Sequence, residues 1–467
     1  MEPNICIVVL DAVRAKNLSC YDHTRTTTPN IDSIVNGSIL FENAVSPAAV
    51  TLDSTASLFT GLYPGDHRTG QLGHIEVDVP LLPELAKKAG YTTGAITTNP
   101  FITPGFGFER GVLEFMSKEF RFSDGMNIRK FFDRNKDRPP YQIYLQFLLE
   151  SLDRNFISNV GNALQFRFDL FTREDNGAKE TTSKVLDFIS DGEDPWFLYT
   201  HYSEAHMKNV DHLYKLPDEH KFKYVDRSEV NKAEIARNPD SPYQENQRDV
   251  HERLYDGSLS YLDTHVGRII DQLKSDSEWD NTLFVLTADH GECLGEHGVV
   301  GHGHLYEEAI NVPLIVSPPT DFDESLGQRS KRTSTLGLYD TIATILNDGK
   351  RPDHVSTSSI FAQETSTLVQ DYSGSWSWSS YEGEVPGKHA FYNNEMKLIK
   401  RGDDYELYDL DSDPTESHDL IGNHPEEENL RENLRNILDD FDNSTRSIND
   451  IEMSDDTSQQ LEDLGYL

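Results

Sequence analysis

The sequence predicts an α/β protein. A large, mostly parallel sheet lies between helices, and a smaller C-terminal part of antiparallel strands and a helix follows. Three observations carry this. Short apolar runs alternate with segments of helical periodicity through the first two thirds of the chain. The character turns polar around Asn347 to Ser380, and short strand-and-turn segments replace the apolar runs beyond it. The length, 467 residues, exceeds the roughly 250 to 300 residues at which a single core stops growing.

Taken in order, Asn4 to Leu10 (NICIVVL) reads as a buried strand, as do Gly94 to Thr97, Trp196 to His201, Thr282 to Thr287 and Val312 to Val316. Continuous apolar runs suit a sheet covered on both faces. Leu82 to Ala89 and Tyr255 to Leu273 carry the i, i+3, i+4 spacing of amphipathic helices. Arg121 to Glu180 is mixed and aromatic, and is expected to be a mainly helical insertion spanning about 116–190, a candidate lid. The division expected is a catalytic domain over 1–350 and a C-terminal subdomain over 351–467. In the latter, Ala390 to Tyr392, Lys397 to Lys400 and Tyr405 to Leu410 read as strands, with turns at Arg401-Gly402-Asp403 and Asp411-Ser412-Asp413-Pro414. From Glu426 the chain is acidic and helix-prone, a solvated tail helix with loose ends. No repeat of the solenoid or propeller kind is present.

Charge excludes some partners. With 42 Lys and Arg against 80 Asp and Glu the formal charge is −38, the opposite of what a phosphate backbone attracts, so no nucleic acid is expected. Such a surface suits a salt-rich cytoplasm, since at about 1 M salt the Debye length is only about 3 Å and repulsion is screened, with an acidic interaction surface as the alternative. No apolar run reaches the roughly 18 residues of a membrane span, and Met1-Glu2-Pro3-Asn4 lacks a basic flank, so no membrane span and a cytoplasmic location are expected. Three cysteines without C-x-x-C spacing indicate neither a disulfide framework nor a zinc knuckle.

In open α/β sheets ligands bind at the carboxyl ends of the strands. There the sequence places Asp11, the segment Ser203-Glu204-Ala205-His206, and Asp289-His290-Gly291-Glu292. Carboxylates and an imidazole converging on one edge, with no thiolate, suit one divalent metal ion bound by oxygen and nitrogen. A fourth element is Thr51, read as the N-cap of a short helix over Leu52 to Phe59 closed by Thr60-Gly61. A helix N-terminus suits a sulfate or phosphate group. A metal on Asp11, Asp289 and His290 that also touched the Thr51 hydroxyl would lower its pKa and make it a nucleophile.

VVLDAVRAKNLSCYD, TTTPNID, ASLFTGLYP, TADHGECLGEHG, LYEEAINVPLIV and LYDLDSDPTESHDL resemble the successive landmarks of sulfatases, in the alkaline phosphatase superfamily, over most of the chain and in the family's order. The resemblance implies a large mixed sheet between helices, a small C-terminal α+β subdomain, a divalent metal at the strand ends (Asp11, Thr51, Asp289, His290), and hydrolysis of an anionic sulfate or phosphate ester that can be carbohydrate-linked. It also implies a general-acid role for His206, in His201-Tyr202-Ser203-Glu204-Ala205-His206, and a substrate-facing role for His302 or His304, between which the spacing does not decide. Glu292, Glu296 and His297 belong to the same loop, in a fixing or a contacting role.

The departures are specific. Where sulfatases usually carry C-x-P-S-R or S-x-P-S-R, with formylglycine made from the first residue, this chain has Thr51-Leu52-Asp53-Ser54-Thr55, and the family's second metal-motif Asp is Ala12. The remaining set is similar to that of relatives that use a threonine nucleophile. A formylglycine sulfate collapses to the aldehyde, whereas a threonine ester must be displaced by water, so phosphate-ester chemistry is at least as well served as sulfate-ester chemistry. Ca is the sulfatase habit, and Mn, Zn or Mg also suits these donors. Alternatives are transfer of a phosphoryl group to a glycan or lipid headgroup, and a catalytically silent relative that keeps the fold for binding.

Overall fold

The structure, a computed structural model, describes residues 2–116, 140–153, 174–192, 195–207, 214–233, 245–320, 324–352, 358–362, 366–372 and 387–444, with isolated positions between. Much of the expected insertion, and the tail beyond 444, lies outside the described residues. Within the insertion, helices cover Pro140–Asp153 and Ala178–Asp191.

Strands β1 (Asn4–Leu10), β2 (Ile39–Val45), β3 (Thr92–Thr97), β4 (Glu114–Met116), β5 (Trp196–Tyr202), β6 (Thr282–Thr287), a hairpin pair β7 (Cys293–Leu294) and β8 (Val300–Gly301), β9 (Asn311–Ser317), β10 (Gly327–Arg329) and β11 (Thr333–Ser334) follow in chain order. All but β7 and β8 form one nine-stranded sheet, in the order β10-β2-β9-β6-β1-β5-β3-β4, with β11 also on β2. The sheet is mixed: β9 runs antiparallel to both β2 and β6, while the central β6-β1-β5-β3 block is parallel. β2 escapes the apolar-run criterion because Glu42 and Asn43 interrupt it at a register shift between Phe41 and Ala44.

β1 is buried along its whole length. Cys6, Val8 and Leu10 face a core shared with the helices Ala178–Asp191 and Glu245–Ser275, and Ile5, Ile7 and Val9 face one shared with the helices Thr51–Thr60, Leu82–Lys88 and Gly337–Leu346. Two covered faces are what a continuous apolar strand requires.

A second sheet, β12 (Ser366–Asp371), β13 (Lys388–Asn393), β14 (Met396–Arg401) and β15 (Asp404–Asp409), is an antiparallel meander. Its alternation splits two ways. Val369, Ala390, Tyr392, Ile399 and Tyr408 pack on Val45, Ala49, Leu305 and Ile310 of the large domain. Leu368, Phe391, Leu398 and Leu407 pack on Leu430 and Leu434 of the helix Glu427–Ser444. That helix is docked by an apolar stripe and not merely solvated.

Polar contacts close the same interface. Buried Lys397 Nζ lies 2.8 Å from Glu307 Oε1 and 2.7 Å from Glu416 Oε1. Glu307 N–H donates to Glu416 at 2.7 Å, and Lys388 Nζ donates to the Gly303 carbonyl at 2.9 Å. Gly303 N–H donates in turn to Ala49 O at 3.0 Å. The small sheet thus grips the loop 302–307 and the entry to the Thr51 helix.

Candidate active site

β1, β5 and β6 are neighbours, so the residues at their carboxyl ends meet. Asp11 is anchored by its N–H to Tyr202 O at 2.8 Å. Its Oδ2 accepts from Asn99 Nδ2 at 2.8 Å, while Oδ1 is buried with no hydrogen-bond partner. Asp289 Oδ1 accepts from His290 N–H at 2.9 Å and Ala12 N–H at 3.2 Å, which leaves its buried Oδ2 without a partner. Ala12 holds a left-handed backbone with φ of 60°. Tyr255 pins that turn by donating to Ala12 O at 2.7 Å and accepting from Arg14 N–H at 2.9 Å.

His290 Nδ1 lies 2.8 Å from Gly291 O, so the ring donates there and its Nε2 lone pair faces the site. Nε2 stands 3.6 Å from both Asp11 Oδ1 and Asp289 Oδ2, and 3.2 Å from the Thr51 hydroxyl. Gly291 is obligatory here: a Cβ would come 2.1 Å from Glu308 O, and Gly291 N–H donates to Ala309 O at 2.8 Å.

Thr51 is the first residue of its helix and not the cap. Val50, extended at φ −145° and ψ 147°, takes the cap position, and its carbonyl accepts from Ser54 N–H. A capping threonine would spend its hydroxyl on the helix's own N–H groups. At the first helical position the hydroxyl is available to His290, and the orphan N–H groups of the first turn stay beside it. Ser46 and Ser54 hydroxyls both donate to the Asp289 carbonyl, at 2.5 and 2.6 Å, and lock this helix to the Asp289 turn.

The sequence reading missed one member of the cluster. His201, fully buried in β5 beside Val9 of β1, presents Nε2 at 3.8 Å from Asp11 and 3.6 Å from Asp289, with no hydrogen-bond partner. Its Nδ1 is held by Tyr199 OH at 2.8 Å. The available signal was a histidine inside the apolar run WFLYTHY, which enters the resemblance only as a landmark before His206.

His206 and His302 lie against this cluster. The His302 ring stacks on His290 at 4.5 Å and meets His206 at 4.7 Å. Burial holds His206 below its ordinary pKa despite Asp11. For His302 burial acts in the same direction, but the carboxylates of Glu292, Asp11 and Asp289 together outweigh it and the ring is raised. His304 has a different charged setting: Lys388, Arg401, Asp371 and His302 act on it, and burial with those cations lowers it to about 4. Glu296 is tied to Arg14 at 2.9 Å, and His297 to Glu308 at 3.1 Å, so both fix the loop.

Asp11, His201 and Asp289 offer ligand atoms within 4.8 Å of one another. Unpartnered, buried carboxylate oxygens and an imidazole nitrogen converging on one point are costly without a cation. The donor set therefore fits a divalent metal ion.

The sulfatase family model matches residues 3–348. The chain belongs to the sulfatase family. A second model, the C-terminal region of N-sulphoglucosamine sulphohydrolase, matches residues 295–444. This sulfatase-family chain is 25% identical over 451 residues to the uncharacterized sulfatase YidJ of Escherichia coli, covering 90% of this chain and 83% of that protein. It is 24% identical over 482 residues to an N-acetylglucosamine-6-O-sulfatase of Bacteroides thetaiotaomicron, with the same shares. Among solved structures, the phosphonate monoester hydrolase of Agrobacterium radiobacter has the same fold, with a TM-score of 0.65 at 17% identity over 94% of this chain and 95% of that one. Family membership makes the chain a hydrolase of the sulfuric-ester class. No described helix is long and apolar enough to cross a membrane.

Proposed function

We propose that this protein is a metal-dependent hydrolase of sulfate or phosphate esters that uses Thr51 as its nucleophile, with phosphate esters the better substrates. The observation that carries the reading is the Thr51 hydroxyl, 3.2 Å from His290 Nε2, at the open end of a helix beside the unpartnered oxygens of Asp11 and Asp289. Asp11, Asp289, His290, His201 and Thr51 would hold the ion. When bound, a divalent ion supplies positive charge that favours the Thr51 alkoxide and offsets charge on the transferred group.

The residues of the chain then divide the work. Free N–H groups at the start of the Thr51 helix bind the equatorial oxygens of the tetrahedral group. Thr51 Oγ1 forms a bond to phosphorus as the bond to the leaving oxygen breaks, the hydroxyl proton passes to solvent, and the leaving alkoxide takes a proton. Water then displaces Thr51 from phosphorus, so the sum is ester plus water giving alcohol plus phosphate. His206, Glu292 and His302 border the leaving-group side. The sulfated-sugar specificity in the name of the Bacteroides relative supports a carbohydrate-linked ester, and Mn or Zn suits a donor set with two imidazoles better than Ca does.

The test uses wild type and Thr51→Ala, loaded with Ca, Mn, Mg or Zn, and p-nitrophenol release from the sulfate, the phosphate and a phosphodiester. Turnover is expected to need metal, to favour a phosphorus ester and to fall on the order of a thousandfold in Thr51→Ala. A Thr51→Ala enzyme within about tenfold of wild type would overturn the nucleophile.

A further inference from the structure

The central parallel block of the large sheet is β6-β1-β5-β3, and the carboxyl ends of β6, β1 and β5 supply the site. The remaining strand, β3, ends at Thr97. Just past it lies Asn99, only 2% exposed, which takes no part in the chemistry described so far. β3 pairs with β5 and β5 with β1, so Asn99 reaches past the end of β5 to Asp11, where its Nδ2 donates to Oδ2 at 2.8 Å.

The Asn99 amide can point only one way. Its Oδ1 accepts from Phe101 N–H at 2.9 Å, the contact of an Asx turn, and its backbone N–H donates to Thr97 Oγ1 at 2.9 Å. Turning the amide over would set its NH2 group against the Phe101 N–H and its oxygen against the Asp11 carboxylate, with repulsion at both ends. The position therefore calls for a donor and an acceptor on one short side chain, which asparagine provides.

The two oxygens of Asp11 are thereby made unlike. Oδ2 is engaged by the amide, and Oδ1 is buried and unpartnered. At Asp289 the His290 and Ala12 N–H groups make the same division, occupying Oδ1 and leaving Oδ2. Each carboxylate then has one oxygen to give, beside one nitrogen each from His201 and His290 and the Thr51 hydroxyl. Calcium takes about six to eight oxygens and often both oxygens of a carboxylate, so this set falls short for it. Zinc takes about four donors and accepts imidazole readily.

We infer that Asn99 is a positioning residue that holds Asp11 to one-oxygen ligation and so biases the cation seat toward zinc and against calcium. This deepens the proposed function and rests on it for the presence of an ion at Asp11, Asp289 and His290. Asn99 is also where the bias can be altered, because the donors on Asp289 belong to the backbone and the one on Asp11 to a side chain.

The experiment compares full-length wild type, Asn99→Ala and Asn99→Leu, which keeps nearly the same volume, with far-UV circular dichroism as the check on folding. Zn and Ca affinities are measured by isothermal titration against a competing chelator. Infrared difference spectra on Zn loading report how the carboxylates ligate. Both variants are expected to bind Zn at least about tenfold more weakly and Ca no more weakly than wild type, with a narrower splitting of the two carboxylate stretches as Asp11 ligates through both oxygens. An unchanged Zn-to-Ca affinity ratio in a folded variant, whether both affinities hold or fall together, would overturn the role of Asn99 and leave the proposed function standing. Two-oxygen carboxylate bands in Zn-loaded wild type would do the same without recourse to a variant. Wild type that binds neither ion would remove both.

Discussion

Lys397→Met is expected to destabilise the junction between the two sheets in a way that depends on pH. The ammonium group stands between Glu307 and Glu416, at 2.8 and 2.7 Å, with all three side chains largely buried. Removing it leaves Glu307 with the Tyr392 hydroxyl at 2.5 Å and Arg332 at 3.8 Å, but leaves Glu416 with a backbone N–H alone among its described bonds. Loss of one partner from a buried ion pair costs about 3 to 5 kcal/mol. Burial already pushes the Glu416 carboxyl up to about 6, even with Lys397 lowering it, so the variant raises it further. A carboxyl whose folded pKa exceeds its unfolded value costs stability above that folded pKa and recovers it as the pH falls through it. The deficit is therefore full near about pH 8 and shrinks toward about pH 5. Urea unfolding followed by circular dichroism measures it. A loss below about 1 kcal/mol near neutrality, or a deficit that widens toward acid, would refute the reasoning, and adding Glu416→Gln to Lys397→Met is expected to recover most of the loss.

Other outcomes follow from the same coordinates. Burial holds His67 at about 3 and His251, His265 and His389 at about 4, so the unfolded chain takes up protons that the folded one refuses. Stability should fall as the pH drops through about 6.5 toward about 4, by up to about 1.4 kcal/mol per pH unit for each ring, and His67→Gln should flatten the urea-midpoint profile. Gly61→Ala is expected to lower the thermal midpoint by a cost above about 1 kcal/mol, since φ is 70° and the added Cβ would meet Tyr339 Cδ1 at 2.5 Å. His201→Phe should weaken Mn or Zn binding at least about tenfold by isothermal titration; unchanged affinity would remove His201 from the site. With a formal charge of −38, the urea midpoint should rise as salt increases from about 0.1 M to about 1 M, and a flat response would argue against salt adaptation.

The fold was legible wherever burial was complete. β1 and β6 coincide with NICIVVL and TLFVLT because strands covered on both faces have to be apolar throughout. β12 and β2 were not legible, since polar residues within them break the run, and β2 takes its pairing from β9, far along the chain. Thr51 was placed one position out: the spacing fixes the helix, but only the path of Val50 decides which residue caps it. His201 escaped because an imidazole within a strand means little until Asp11 and Asp289 are brought beside it from chain positions 190 residues before and 88 after. His302 and His304, two residues apart, could not be ranked by spacing, and it is the small sheet's Lys388 and Arg401 that turn up beside His304.

That grip of the small sheet on the 302–307 loop also sets an order of events in synthesis. The large sheet can pair β1, β5, β6 and β9 once residue 317 has emerged, so Asp11, Asp289, His290 and Thr51 can meet early. His302 sits in a loop whose clamps, Lys388, Lys397 and Glu416, are translated later. A nascent chain halted between these points would own Thr51, the proposed nucleophile, without a fixed wall opposite it. Activity would thus be withheld from unfinished protein, and cleaving the strands past residue 387 would unmake the pocket from a distance without touching any of the donors that line it.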